Sequence, residues 1–220
     1  MWFMQIVFLG LPGAGKGTQA VSITEDFDVP HIATGDMFRA AMAADSSLGQ
    51  EVREYLVKGL LVPDELTIQV VRDRLQQADT KNGFLLDGFP RTEPQAIALE
   101  EMLREIGKPI MHVLYLQVPR EDLLQRLTGR VVCSSCGTSY HVTLNPPTHG
   151  GICDRCGAEL IVRKDDTPEA VAVRLAENFE RTEALAKFYE QRGLLRTIDG
   201  TQSIGHVYDA ISNALQEAQA

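Results

Sequence analysis

Short apolar runs alternate along the chain with longer stretches of helix-competent sequence. Gln5–Leu9, Gly83–Leu86, Ile110–Val118 and Leu194–Ile198 are the short runs, and each predicts a buried strand. Pro30–Ala33 adds a short extended piece. Between these, helices are predicted over about Gly15–Phe27, Met37–Ala44, Ser46–Val57, Glu65–Gln77, Glu93–Ile106, Pro119–Thr128, Pro168–Arg192 and Ile204–Ala218. Thr34 or Asp36 is expected to cap the second helix and Asp64 the fourth. Pro119 and Pro168 stand where a proline opens a helix. Alternating strands and helices predict an α/β fold, a parallel sheet flanked by helices on both faces.

Two segments break the alternation, a helical pair over 33–62 and a cysteine-bearing segment over 129–166. Both are expected as insertions where ligands enter at the strand ends. Segments 1–32, 63–128 and 167–220 would then form one core domain.

Composition narrows the function classes. The chain has 220 residues, 44% of them hydrophobic, enough for one ordinary core with small inserted lobes. A net charge of −9 disfavours nucleic acid and anionic membranes as partners, while leaving room for a local basic cleft. No apolar stretch approaches the roughly 18 residues of a membrane span. Met1–Met4 leads into the first strand without a signal-peptide pattern, so the cytoplasm is the expected location.

The first run ends in Gly10-Leu11-Pro12-Gly13-Ala14-Gly15-Lys16-Gly17-Thr18. Strand, glycine-rich turn and helix are the context of a phosphate-binding loop. Glycines let backbone N–H groups curl toward phosphate oxygens, the helix N-terminus adds partial positive charge, and Lys16 adds a full one. The strict pattern has Ser or Thr directly after the lysine; here Gly17 intervenes before Thr18. The competing reading is a glycine-rich turn with a solvated lysine. Asp87 ends the second apolar run, where a carboxylate can hold Mg²⁺ directly or through water, or simply cap a turn.

Cys133-Ser134-Ser135-Cys136 and Cys153-Asp154-Arg155-Cys156 form two C-x₂-C knuckles about sixteen residues apart. That spacing suits a closed four-thiolate zinc site, structural because no coordination position stays open. Local disulfides or a redox pair are the alternatives. The stretch Thr138–Ile152 has no Lys or Arg, which argues against a nucleic-acid-binding ribbon.

The glycine loop resembles the Gly-x-Pro-Gly-x-Gly-Lys-Gly-Thr form of the nucleoside monophosphate kinases. Thr34-Gly35-Asp36-Met37-Phe38-Arg39 and Asp87-Gly88-Phe89-Pro90-Arg91 match two further elements of that family in order. With the knuckles, nearly the whole chain is similar to adenylate kinases of the long-lid, zinc-containing bacterial type. The resemblance implies Mg²⁺-dependent transfer of the ATP γ-phosphoryl group to AMP, giving two ADP, by a monomer.

It also implies the site. Gly13, Ala14, Gly15, Lys16, Gly17 and Thr18 would hold ATP phosphates, and Ser139, Tyr140 and Gln202 would touch ATP elsewhere. Thr34, Arg39, Gly88, Phe89, Pro90 and Arg91 would bind AMP, Gln95 would read the adenine edge, and Leu60, Leu61 and Val62 would line the base pocket. Arg126, Arg130, Arg163 and Arg174 would complete a cationic cage with Lys16, Arg39 and Arg91. Such a cage fits phosphoryl transfer, whose charge spreads over three equatorial oxygens. Arg163 and Arg174 also belong to the implied AMP contacts. Asp165 and Asp166 are expected as hinge or ion-pair partners. The family commonly has a second arginine after Gly129-Arg130, where this chain has Val131. Two alternatives remain open, a kinase for UMP, CMP or GMP and a nucleotide-binding switch without transfer activity.

Overall fold

The computed structural model describes residues 4–163 and 165–217. Expectations falling on Met1–Phe3, Lys164 or a helix end at Ala218 lie outside those residues. Five strands form one parallel sheet: β1 (Met4–Leu9), β2 (His31–Ala33), β3 (Gly83–Asp87), β4 (His112–Gln117) and, last in the chain, the strand Leu195–Asp199. The order runs β2-β3-β1-β4 and then Leu195–Asp199, with every neighbour parallel. β1 is buried at all six positions, as a strand covered on both faces must be.

Helices α1 (Lys16–Phe27), α2 (Thr34–Ala43), α3 (Ser47–Val57), α4 (Asp64–Leu75), α5 (Glu93–Glu105) and α6 (Arg120–Thr128) precede a separate antiparallel unit. That unit consists of β5 (Arg130–Cys133), β6 (Ser139–His141) and β7 (Leu160–Ile161), in the order β6-β5-β7. The chain then returns through α7 (Pro168–Glu190), β8 (the strand Leu195–Asp199) and α8 (Ile204–Glu217).

Period-two alternation divides the sheet's side chains between two cores. Ile6, Phe8, Leu114 and Leu116 pack with Ile23 of α1, Leu123 of α6 and Ile211 of α8. Val7, Leu9, Leu86 and Val113 face the other way, onto Val71 of α4, Leu99 of α5 and Tyr189 of α7. Phe38, Val52 and Val62 make a small core for the α2–α3 pair, and Cys133, Tyr140 and Cys153 one for the antiparallel unit. Val131 packs against this last cluster.

Two capping expectations are corrected. Thr34 and Asp64 are the first helical residues rather than caps, and the positions before them, Ala33 and Pro63, cap without a side-chain bond. Both side chains are engaged across the fold instead. Thr34 donates its hydroxyl to Gly88 O at 2.9 Å, and Asp64 accepts from Thr92 Oγ1 at 2.8 Å and Gln95 Nε2 at 2.7 Å. Ser46, Thr92 and Thr167 are the true side-chain caps of α3, α5 and α7.

Candidate active site

The parallel register brings the chemistry to one end of the sheet. Asp87 stands level with Phe8 of β1 and Ala33 of β2, beside the mouth of the loop that follows β1. Gly10 begins that loop at φ 140°, and a Cβ there would sit 2.7 Å from Leu116 O of β4, so only glycine fits. Gly15 ends the loop and precedes α1 with no side-chain cap, which leaves the first N–H groups of α1 for a ligand.

Lys16 folds back over the loop, donating to Gly10 O at 2.7 Å and Leu11 O at 3.0 Å. Burial pulls its ammonium down to about 8, while the Asp87 carboxylate opposes the shift. For Asp87 burial acts upward, but the His31 ring and the charges of Lys16 and Arg91 outweigh it and hold the carboxyl at about 2. His31 Nε2 stands 3.5 Å from Asp87 Oδ2, long for a hydrogen bond. Asp87 is thus an ionised oxygen donor facing the phosphate loop, which suits a hard divalent cation.

A cleft of about 780 Å³ opens above these groups. Among the described residues, Lys16, Arg39, Arg91, Arg126, Arg130, Arg155, Arg163 and Arg174 line it, against Asp36 and Asp87. In a chain of net charge −9 this is a concentrated cationic exception. Burial, with the neighbouring cations, holds Arg91 and Arg163 each down at about 10, still protonated at neutral pH.

Carboxylates hold these arginines in place. Asp166 takes Arg130 through two bonds, of 2.8 and 2.5 Å, and Arg174 at 2.9 Å. Asp165 lies 3.2 Å from Arg174 and 3.4 Å from Arg39, and Asp36 lies 2.6 Å from Arg39 and 3.3 Å from Arg163. Asp165 and Asp166 are therefore ion-pair partners. Arg126 is held by Gly200 O at 3.0 Å.

A second pocket, of only about 30 Å³, adjoins the first. Thr34, Leu60, Leu61, Val62, Gly88, Arg91 and Gln95 line it. Gln95 Oε1 accepts the Arg91 N–H at 2.7 Å, and its Nε2 donates to Asp64 at 2.7 Å. That fixes the amide's orientation and leaves it one further N–H and one lone pair for a base edge. Gly35, Gly88 and Arg91 belong to both pockets, so the two meet there.

The family model for adenylate kinase matches residues 8–194. The chain is 53% identical to an adenylate kinase of Bacillus licheniformis over 212 residues, 96% of this chain and 98% of that one. It is 52% identical to an adenylate kinase of Bacillus subtilis over the same shares, and 49% identical to one of Lysinibacillus sphaericus over 99% of this chain and 100% of that one. The chain belongs to the adenylate kinase family. Adenylate kinases are nucleoside monophosphate kinases.

Most residues expected in an adenylate kinase site face one of the two pockets. Gly13, Ala14, Gly15, Gly17, Thr18, Ser139, Tyr140 and Gln202 line the larger. Phe89 is the exception: fully buried in the core, it lines neither. Four residues near the chemistry carried no sequence signal for their roles. His31 reaches Asp87, Asp64 orients Gln95, Asp36 bridges two arginines, and Arg155 of the antiparallel unit pairs with Glu25 of α1 at 2.6 Å.

Cys133, Cys136, Cys153 and Cys156 converge, with all four sulfurs within 4.8 Å of one another. The Sγ separations of 3.4 Å (Cys133–Cys156) and 3.6 Å (Cys136–Cys153) approach the roughly 3.8 Å edge of a tetrahedron with 2.3 Å metal–sulfur bonds. All four are free thiols rather than disulfides. Cys133 Sγ accepts the N–H groups of Ser135 and Cys136, both at 3.4 Å. A hydrogen bond from Tyr140, against the opposing effect of burial, holds the Cys153 thiol down at about 6, which favours the metal-binding thiolate. His141, also in this unit, is spent elsewhere: its Nδ1 faces the N–H groups of Thr143 and Leu144, and its Nε2 faces Gln125 O of α6 at 3.1 Å.

Proposed function

We propose that this adenylate kinase transfers the ATP γ-phosphoryl group reversibly to AMP, with ATP and the AMP phosphate in the larger pocket and the AMP base at the smaller. The observation that carries the reading is their junction at Gly88 and Arg91, inside a cage of protonated arginines. A nucleotide switch has no need of the second pocket.

In this reading an oxygen of the acceptor phosphate attacks the γ-phosphorus as the bond to the leaving ADP oxygen breaks. No protein atom forms a covalent bond, so the protein's work is placement and charge. Lys16 and the α1 N-terminus hold the donor phosphates, together with Gly13–Thr18. Arg39 and Arg91 hold the acceptor phosphate, with Thr34 and the Gly88–Pro90 turn beside it. Arg126, Arg130, Arg163 and Arg174 face the transferring group. Asp87 would hold Mg²⁺ through water, and the ion's contribution is neutralisation of charge on the phosphate oxygens. Leu60, Leu61, Val62 and Gln95 take the acceptor base, while Ser139, Tyr140 and the Gln202 backbone take the ATP side.

The four cysteines would hold a structural Zn²⁺ in the lid, residues 129–166. The lid and the 33–62 insertion close on a core of 1–32, 63–128 and 167–220, expelling water that would otherwise take the phosphoryl group. We further place the protein in the cytoplasm as a monomer, without nucleic-acid or membrane partners. The net charge of −9 supports this, and no helix among the described residues is long and apolar enough to cross a membrane.

A coupled assay with ATP and each of AMP, CMP, UMP and GMP tests the acceptor. AMP should lead in kcat/KM by at least about tenfold, the upper scale of one net hydrogen bond. Equal values for UMP or CMP would defeat the assignment.

A further inference from the structure

β6 forms part of two structures at once. Ser139 and Tyr140 line the nucleotide cleft, yet the Tyr140 hydroxyl reaches the cysteine cluster, 3.5 Å from Cys153 Sγ. The Asp154 N–H donates to the same hydroxyl oxygen at 2.9 Å. The phenolic proton is then available for sulfur, and a Cys153 thiolate, the metal-binding form, can only accept it. Tyr140 is 8% exposed and Cys153 1%, so little solvent competes for the contact.

The strand around this contact is clamped. Tyr140 pairs with Val131 of β5, and the adjoining pair joins His141 to Arg130, one of the cleft arginines. His141 in turn is fixed to α6 through Gln125 O. A shift of Tyr140 therefore moves both Ser139 on the cleft wall and the strand that carries Arg130. Cys136 has a comparable neighbour in Thr138 Oγ1 at 3.1 Å, but that contact is exposed. Outer hydrogen bonds orient metal ligands and set their affinity.

We propose that Tyr140 is a positioning residue that couples the lid metal to the ATP side of the cleft. Its phenol holds the Cys153 thiolate, and the loaded cluster holds β6 in register with Arg130. This rests on reading the four cysteines as a metal site.

Tyr140→Phe tests it, because the ring and its packing stay and one oxygen goes. The wild type and the variant are loaded with Co²⁺ for the thiolate charge-transfer band, and with Zn²⁺ for release into a colorimetric chelator. KM is then measured for ATP and AMP separately on the zinc-loaded enzymes. The variant should show a shifted cobalt band and release zinc about tenfold faster or more. Its ATP KM should rise at least about threefold, the lower range of one hydrogen bond, with AMP KM unchanged. Wild-type zinc release with an unchanged ATP KM would overturn the inference. Faster release without a change in ATP KM would do so too, as would equal rises in both KM values, which report general damage. A wild type with no thiolate–cobalt band would overturn the metal reading itself, and the inference with it.

Discussion

Asp166→Asn is the most direct probe of how the cleft keeps so many cations together. The Asp166 carboxylate is 1% exposed and holds Arg130 and Arg174, themselves 15% and 14% exposed. Asparagine preserves volume and removes the charge. Losing one partner of a buried pair costs about 3–5 kcal/mol, because the other charge is left uncompensated. Arg174 keeps Asp165 at 3.2 Å, so Arg130 bears most of the loss, and the low end, about 3 kcal/mol, is expected. In a chain of this size each kcal/mol moves Tm by about 2–4 °C, so calorimetry should show a drop of about 6–12 °C. The same arginines are the proposed phosphate ligands. Saturating ADP should therefore supply the missing negative charge and close at least about half of the gap between variant and wild type. A drop under about 2 °C, or a gap that ADP leaves intact, would refute the reasoning.

Other expectations concern the loop, its lysine and the lid. Lys16→Met should lower kcat/KM for ATP by about 100-fold or more while Tm stays within about 3 °C; near wild-type turnover would sink the loop assignment. Protonated Lys16 is the phosphate-binding form, and its ammonium in the free enzyme is held down at about 8. The kcat/KM for ATP should thus be full below that pH and fall as pH rises through it, whereas the limb of kcat should lie higher, because bound phosphate favours the charged form. Identical limbs in the two profiles would contradict this. Metal analysis should find about one zinc per chain, and chelation should lower Tm more than it lowers turnover in the cold. An unchanged melt after chelation would count against a structural metal. Arg130→Ala should cost about 100-fold in kcat/KM for ATP. Val131→Arg should change it by no more than about threefold, since Arg126, Arg130, Arg163 and Arg174 already line the cleft and a further charge at its rim is partly screened.

Local pattern determined the elements and the loop. Strands buried on both faces are mostly apolar, so β1, β3 and β4 were legible as near-continuous runs despite the buried Gln5 and His112, and their alternation with helices implied the parallel sheet. The Gly10–Lys16 spacing and the two C-x₂-C knuckles were equally legible, because a phosphate turn and a tetrahedral thiolate site each constrain residues only a few positions apart. Both caps read from sequence at Thr34 and Asp64 failed for the converse reason. A cap is a local preference worth about 1 kcal/mol, and Gly88, Thr92 and Gln95 offered those side chains partners that no local rule could see. What the arginines do between substrates was also hidden. Asp36 meets Arg163, Arg39 meets Asp165, and Arg155 meets Glu25, all across more than 120 positions of chain. Such pairs exist only once the sheet register, the α2–α3 pair and the antiparallel unit have been set against one another. The same holds for Tyr140: the sequence placed it in the cleft wall, and only the packing of Val131, Cys133 and Cys153 around its ring turned its hydroxyl toward sulfur.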